Sequence, residues 1–322
     1  MSAFFVPVAL ESIEPDMFPE VDLFLKSGEN NYVLYKSHDR IFSSKDAQRL
    51  AEAGMEFLFV RQGDMELINE YMESNAERML KDDKFDGRAK GKIIYQTSIN
   101  FVGDLFDNPE KVADFDRSKR LMENLLLYIS MDQGAFTSLE TVMSHNYYTY
   151  VHSLQMAALS ILVNSNAYML SRDELIDVGI GGMLHDFGKT FIPHEILTKT
   201  TKLSEAEYAR FKEHPESGYQ YLKERTKLGD VSLSIVRHHH ERNNGSGYPS
   251  GLKQENIPRS AQVAAVCDVY CLLAIDRNGK KALPPYMAIQ IMRQEMKGAF
   301  SERLLDIVEG IVCKEGGAPV LL

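Results

Sequence analysis

The stretch Met183-Leu184-His185-Asp186-Phe187-Gly188-Lys189 places an imidazole beside a carboxylate at the end of an apolar run. A His-Asp pair alone carries little weight, because two adjacent polar residues arise readily by chance. What gives this pair its meaning is the surrounding chain. Apart from His38, every histidine lies between His145 and His240, and Asp268 follows inside another apolar run. The segments around these residues read as helices. Residues 149–161 carry Leu154, Ala157, Ala158 and Ile161 at three- and four-residue steps, the spacing of one helix face. Ser171-Arg172-Asp173-Glu174 is a capping-box start for a helix that runs to His185. Ser204-Glu205-Ala206-Glu207 opens another, expected to break near Pro215. Residues 231–240, 259–275, 284–296 and 301–312 complete the set. Helix after helix without alternating strands predicts an all-α bundle from about Gly134 onward.

The chain before the bundle reads differently. Residues 4–10 are a short apolar run cut by Pro7. The segments 22–26 and 32–36 flank Ser27-Gly28-Glu29-Asn30-Asn31 as a β-hairpin with a five-residue loop. Ser43-Ser44-Lys45-Asp46 opens a helix that Gly54 closes through a left-handed C-cap. Phe57-Leu58-Phe59-Val60 is a compact strand, and a long helical pattern runs from Asp64 through Leu80. These elements predict a small α/β module over residues 1–82, with a regulatory or dimerisation role because no ionisable groups cluster in it. The charged break Lys81-Asp82-Asp83-Lys84 marks its end. Residues 83–134 read as a helical connector, interrupted near Asn108-Pro109.

Composition narrows the function. The 322 residues are 44% apolar and 25% charged, as in an ordinary soluble globular chain of two domains. A net charge of −10 argues against polymeric nucleic acid as a partner and requires a locally basic pocket for any anionic ligand. Cys267, Cys271 and Cys313 lack zinc-finger or CxxC spacing, and Cys267 and Cys271 read as small apolar core residues in a reducing cytosol. No signal sequence and no apolar run long enough to span a bilayer is visible, so the expectation is a cytoplasmic protein off the membrane.

Seven side chains form the chemical constellation: His152, His185, Asp186, His214, His239, His240 and Asp268. They fall on five predicted helices or helix ends, as when a bundle builds a metal site from inward-facing side chains. Imidazole and carboxylate without thiolate suit iron, manganese, nickel or zinc. Seven ligands exceed what one ion takes. With Asp186 as a bridge, one ion takes His152, His185 and Asp268, and the other His214, His239 and His240. Such a pair holds a hydroxide and clamps the attacking and leaving oxygens of a phosphoryl transfer. His194 beside Pro193 reads as an incidental loop residue, His145 stays ambiguous, and His238 draws interest only from abutting His239 and His240.

Several motifs together resemble the HD-GYP family, a branch of the HD phosphohydrolases that hydrolyses cyclic di-GMP. They are His185-Asp186-x-Gly188-Lys189, Glu213-His214-Pro215 with Gly218, and His239-His240-Glu241-Arg242 leading into Gly245-Ser246-Gly247-Tyr248-Pro249. Tyr148-Thr149-Tyr150-x-His152-Ser153 resembles the family's first-histidine helix. Ile257-Pro258-Arg259-x-Ala261-Gln262-Val263 leads to Asp268 as the last ligand. The resemblance covers residues 140–300 and implies an HD-type bundle over 135–322, so that the whole chain is α+β. It assigns the ligand pair to His239 and His240, leaving His238 as an extra. Tyr148 stands where some members carry a glutamate that recruits a third ion, so two ions are expected, iron placed first. The resemblance also implies that Asp186 and Lys189 serve catalysis, and that Lys189, Arg242, Tyr248, Arg277 and Lys280 contact the substrate, with Arg277 and Lys280 on the second phosphate. Three segments depart from the family: Asn243-Asn244, Cys271-Leu272-Leu273 and Arg277-Asn278-Gly279.

The expected activity is metal-dependent hydrolysis of cyclic di-GMP to pGpG, GMP or both. Alternatives are a weakly active receptor for cyclic dinucleotides and a phosphodiesterase for another one, such as cyclic GMP-AMP. A homodimer and a signalling-protein partner, met through the Gly-Tyr-Pro loop or the N-terminal module, are the other open partners.

Overall fold

In the computed structural model the chain divides into two compact units, Met1–Asn100 and Phe101–Leu322. The structure describes residues 5–15, 17–28, 31–131, 135–136, 139, 148–276 and 281–313. His145, Arg277 and Lys280 lie outside the described residues.

The first unit holds a four-stranded antiparallel sheet of β1 (Phe5–Ala9), β2 (Leu23–Lys26), β3 (Tyr32–Lys36) and β4 (Phe57–Arg61), in the order β1-β4-β2-β3. Pro7 is tolerated because β1 is an edge strand and needs no second ladder. The 22–26 and 32–36 segments form the expected hairpin, with Leu25 opposite Val33. In β4, Leu58 and Val60 are fully buried while Phe57 and Arg61 are exposed, the period-2 alternation of a half-buried strand. Helix α1 (Ser44–Glu52) begins in a complete capping box between Ser43 and Asp46. Just past its end, Gly54 takes a φ of 72°, which a side chain would resist. Helix α2 (Met65–Lys81) buries Ile68, Met72, Ala76 and Met79 against the sheet's apolar face. The division between units falls within α3 (Gly87–Asp107).

The second unit is helical among its described residues: α4 (Phe115–Met131), α5 (Tyr148–Ala167), α6 (Arg172–Leu184), the short α7 (His194–Leu197), α8 (Glu205–Phe211), α9 (His214–Arg225), α10 (Asp230–His238), α11 (Arg259–Leu273), α12 (Pro285–Gln294) and α13 (Glu302–Val312). The whole is thus α+β, an antiparallel sheet unit followed by a bundle. Helix α6 is the central rod. Every residue from Val178 to Leu184 is buried, and α5, α10 and α4 all pack on it. Asp177 ties it to α10, since its carboxylate accepts from the Ser232 amide and hydroxyl. As expected, the helix opened by Ser204 ends just before Pro215, at Phe211, and Pro215 then opens α9, where a proline in the first turn lacks only an N–H that has no intrahelical partner. One local expectation differs. His194 starts α7 and is exposed, not placed in a loop. Cys267 and Cys271 are core residues of α11, and burial pushes the Cys267 thiol up to about 12. Among the described residues no helix is long and apolar enough to cross a membrane.

Candidate metal centre

The end of α6 delivers His185, and the chain then turns through a 3-10 segment, Phe187–Phe191, that holds Asp186 and Lys189. This turn sits against the start of α9. A Cβ on Gly188 would come within 1.9 Å of the His214 carbonyl oxygen, so only glycine lets the two backbones meet. That contact brings His214 to Asp186. His239 and His240 follow the end of α10, Asp268 lies mid-way along α11, and His152 comes from α5.

All seven side chains converge. His152, His185, Asp186, His214, His239 and Asp268 are buried, and the His240 side chain is 14% exposed. Their ligand atoms form two groups, each within 4.8 Å: Asp186, His214, His239 and His240 in one, and His152, His185 and Asp268 in the other. Asp186 lies between them. Its Oδ1 is 3.3 Å from His214 Nε2, and its Oδ2 is 3.3 Å from His185 Nε2. His152 Nε2 stands 3.1 Å from Asp268 Oδ1 and 3.2 Å from His185 Nε2.

The backbone sets the tautomers. His185 Nδ1 lies 2.7 Å from the Gly182 carbonyl, His214 Nδ1 2.8 Å from that of Phe211, and His239 Nδ1 3.0 Å from that of Val236. A carbonyl only accepts, so each Nδ1 donates and each neutral ring turns its Nε2 lone pair inward. These lone pairs face carboxylate oxygens, which also only accept. Asp186 Oδ1, His214 Nε2, His239 Nε2, His240 Nε2 and Asp268 Oδ2 are all buried with no hydrogen-bond partner. Acceptors do not crowd together in a core unless a cation lies among them. The donor set therefore fits divalent metal.

The charge states agree. Burial opposes ionisation of Asp186, but Lys189 and His185 outweigh it and hold the carboxyl well below its usual range. Asp268 is likewise lowered against burial, chiefly by His152. Burial first, then the neighbouring histidines, drives His239 far below its ordinary value and keeps it neutral. His240 follows the same rule. His185 is the exception, because Asp186 beside it outweighs burial and favours a proton. In the absence of a cation, a proton on His185 is what the two carboxylates attract.

Around the centre, Lys189 Nζ bonds Asp186 Oδ2 at 2.5 Å and lies over the Phe211 ring. The Tyr248 ring packs on His240 at 4.6 Å between centroids, bracing that imidazole. Arg242 donates to the His239 and Glu241 carbonyls and rests on Phe300. His238 stands outside both groups, 3.8 Å from Glu241. A pocket of about 350 Å³ opens beside His240, lined by Arg242, Tyr248, Tyr208, Glu295 and Lys297 among others. Sequence reading missed Tyr208, Glu295 and Lys297, which carry no motif and come from α8 and the segment after α12. It also missed the work of Glu241. This fully buried carboxylate accepts from the Ser250 amide at 2.7 Å and the Leu252 amide at 2.9 Å, pinning the Gly-Tyr-Pro loop.

A helical bundle with a buried His-Asp cluster defines a class, and comparison with known families agrees: residues 144–303 match the family described as the HD domain. Over 195 residues the chain is 33% identical to a cyclic di-GMP phosphodiesterase of Pseudomonas aeruginosa, covering 60% of this chain and 46% of that protein. It is 37% identical over 138 residues to a cyclic di-GMP phosphodiesterase response regulator of Xanthomonas campestris pv. campestris, covering 42% of this chain and 36% of that one. A 3′3′-cGAMP-specific phosphodiesterase of Vibrio cholerae is 31% identical over 212 residues, covering 64% of this chain and 37% of that protein. The chain thus spans less than half the length of each of these relatives. Its fold matches an HDG"Y"P protein from Bdellovibrio bacteriovorus with a TM-score of 0.68 at 18% identity, over 97% of this chain and 100% of that one.

Proposed function

We propose that this chain hydrolyses cyclic di-GMP to linear pGpG, GMP or both at a centre of two divalent ions. The observation that carries the reading is the convergence of seven candidate ligands from five helical segments around Asp186, five of whose inward atoms are buried without a hydrogen-bond partner. The relatives named as cyclic di-GMP phosphodiesterases supply the substrate class. The relative specific for 3′3′-cGAMP supports a second reading, in which the mixed dinucleotide is cut instead.

In this proposal His152, His185 and Asp268 would hold one ion and His214, His239 and His240 the other, with Asp186, which lies between the two groups, available to both. Iron comes first, with manganese, nickel and zinc as alternatives, since imidazole and carboxylate suit all four. Bound there, the ions supply Lewis acidity that activates water and neutralises phosphate charge. The remaining work belongs to the protein. Backbone carbonyls hold the histidine rings in the ligating tautomer, and Tyr248 keeps His240 from turning away. Lys189, whose side chain is 25% exposed, brings a compact positive charge to the mouth of the centre for the non-bridging oxygens. Arg242 and Tyr248 face the substrate, and Arg277 and Lys280 hold the second phosphate. Water adds to phosphorus, the bond to the ribose 3′ oxygen breaks, and that oxygen leaves as the hydroxyl of pGpG. Residues 1–82 act as the regulatory or dimerisation module, 83–134 as the connector and 135–322 as the catalytic domain of a cytoplasmic signalling protein.

Elemental analysis of the purified protein, joined to a cyclic-dinucleotide hydrolysis assay, tests this directly. Two ions per chain are expected. Asp186→Ala is expected to lower turnover by at least about two orders of magnitude, more than changes behind a ligand usually cost. One ion or none per chain overturns the dinuclear centre. Two ions without turnover of any cyclic dinucleotide overturns the hydrolase.

A further inference from the structure

The pocket beside His240 is built unlike the metal centre. Two of its walls are aromatic: Tyr248, braced from behind by the His240 ring, and Tyr208 from α8. Arg242 lines the same pocket with its guanidinium on Phe300. Planar aromatic and guanidinium surfaces of this kind accept the face of a nucleobase. The rim is polar, and its charges are Glu295 and Lys297. Among the described residues neither has an opposite charge within ion-pair distance, although they stand two residues apart. By contrast, Arg293 just before them engages Glu302, Asp306 and Glu309 together. The rim segment is anchored: the Asn243 amide donates to the Ala299 carbonyl at 2.9 Å, and Gly298 turns the chain with a φ of 77°.

An acid and a base side by side on the edge of a stacking pocket match one base. Guanine offers its N1–H and its exocyclic amine as adjacent donors, which a carboxylate accepts together, and its O6 and N7 as acceptors, which an ammonium meets. Adenine reverses the first feature, with an acceptor at N1 and a donor at N6. Resting on the reading above, we propose that this pocket seats one guanine of the substrate, with Glu295 on the N1–H and amine edge and Lys297 on O6. Tyr208, Tyr248 and Arg242 supply the stack. The phosphodiester joined to that nucleoside then lies toward His240 and the metal centre, because His240 is shared by both cavities.

Cyclic di-IMP isolates the contact, since it differs from cyclic di-GMP only in lacking the exocyclic amines. Hydrolysis and equilibrium binding of both are measured on metal-loaded wild-type protein and on Glu295→Gln and Lys297→Met. The wild type is expected to prefer cyclic di-GMP about ten-fold in kcat/KM, and Glu295→Gln to reduce that preference to about two-fold or less. Lys297→Met is expected to weaken both ligands equally, because O6 is common to them. Metal content stays at the wild-type level in both variants. A preference that survives Glu295→Gln unchanged overturns the assignment, as does an equal loss on both ligands in that variant. Wild-type protein that neither binds nor cuts cyclic di-GMP overturns the proposed function instead, and the pocket's assignment with it.

Discussion

Asp186 and Glu241 show how differently two buried carboxylates serve one site. Asp186 faces lone pairs and needs a cation, whereas Glu241 is satisfied by two backbone amides and organises a loop. Removing Glu241 therefore leaves the Ser250 and Leu252 amides without their carboxylate partner while sparing the candidate ligand atoms. Glu241→Ala is expected to cost about 3 kcal/mol in urea denaturation, since hydrogen bonds to charged groups are worth about 1.5–3 kcal/mol each. It should raise KM more than it lowers kcat, with two ions still bound and faster hydrogen exchange at the Ser250 and Leu252 amides. Loss of metal in that variant would show that Glu241 supports the histidines and not the loop. The candidate ligands themselves were legible because His185-Asp186 and His239-His240 are local pairs inside apolar surroundings. Glu241 was not, because its partners lie nine and eleven residues on, across a loop whose path no periodicity reveals.

At the scale of elements, caps were the most readable features and turns onto neighbouring backbones the least. Ser43 and Asp46, at the expected start of α1, form a capping box there, and Asp46 also accepts from Tyr35 and Arg40. Burial works to raise the Asp46 pKa, but Ser43 and then Tyr35 and Arg40 prevail and lower it. A carboxyl lowered in the folded state stabilises above its unfolded value, near 4, and loses that contribution as pH falls through the folded value. Asp46→Asn is expected to cost about 1 kcal/mol at neutral pH and to flatten the acid limb of stability between about pH 5 and pH 2. Denaturation midpoints across that range check it, and an unchanged acid limb would mean the carboxylate contributes nothing through its charge. The 3-10 turn after His185 offered no comparable signal. Its glycine reads as ordinary until the His214 carbonyl is found where a Cβ would sit.

For the molecule as a whole, the proposed centre would link metal to folding. Five buried acceptor atoms lacking partners in one cavity are a standing cost, and ions that bind only the folded state offset it. Chelation is expected to lower Tm by at least about 5 °C, since ions at a hundred times their Kd stabilise by about 2.7 kcal/mol per site. Iron or manganese should restore the lost degrees. An identical Tm with and without chelator would show that the cluster closes without a cation.

What the chain's order of residues determined was local. Periodicity placed most strands and helices to within a few residues and the motifs singled out seven candidate ligands, while the charged break after Leu80 read as the unit boundary and the contacts divide the chain later, between Asn100 and Phe101. Those properties depend on side chains close together along the chain, where spacing and turn chemistry act directly. The division of the candidate ligands about Asp186 was already readable from the sequence, but only the tertiary structure decided which ring nitrogens turn inward, and that Tyr208, Glu295 and Lys297 share a pocket with His240. Those facts depend on backbones meeting across long separations, as Gly188 meets His214. The His185-Asp186 pair becomes a centre because packing brings α5, α9, α10 and α11 to the end of α6.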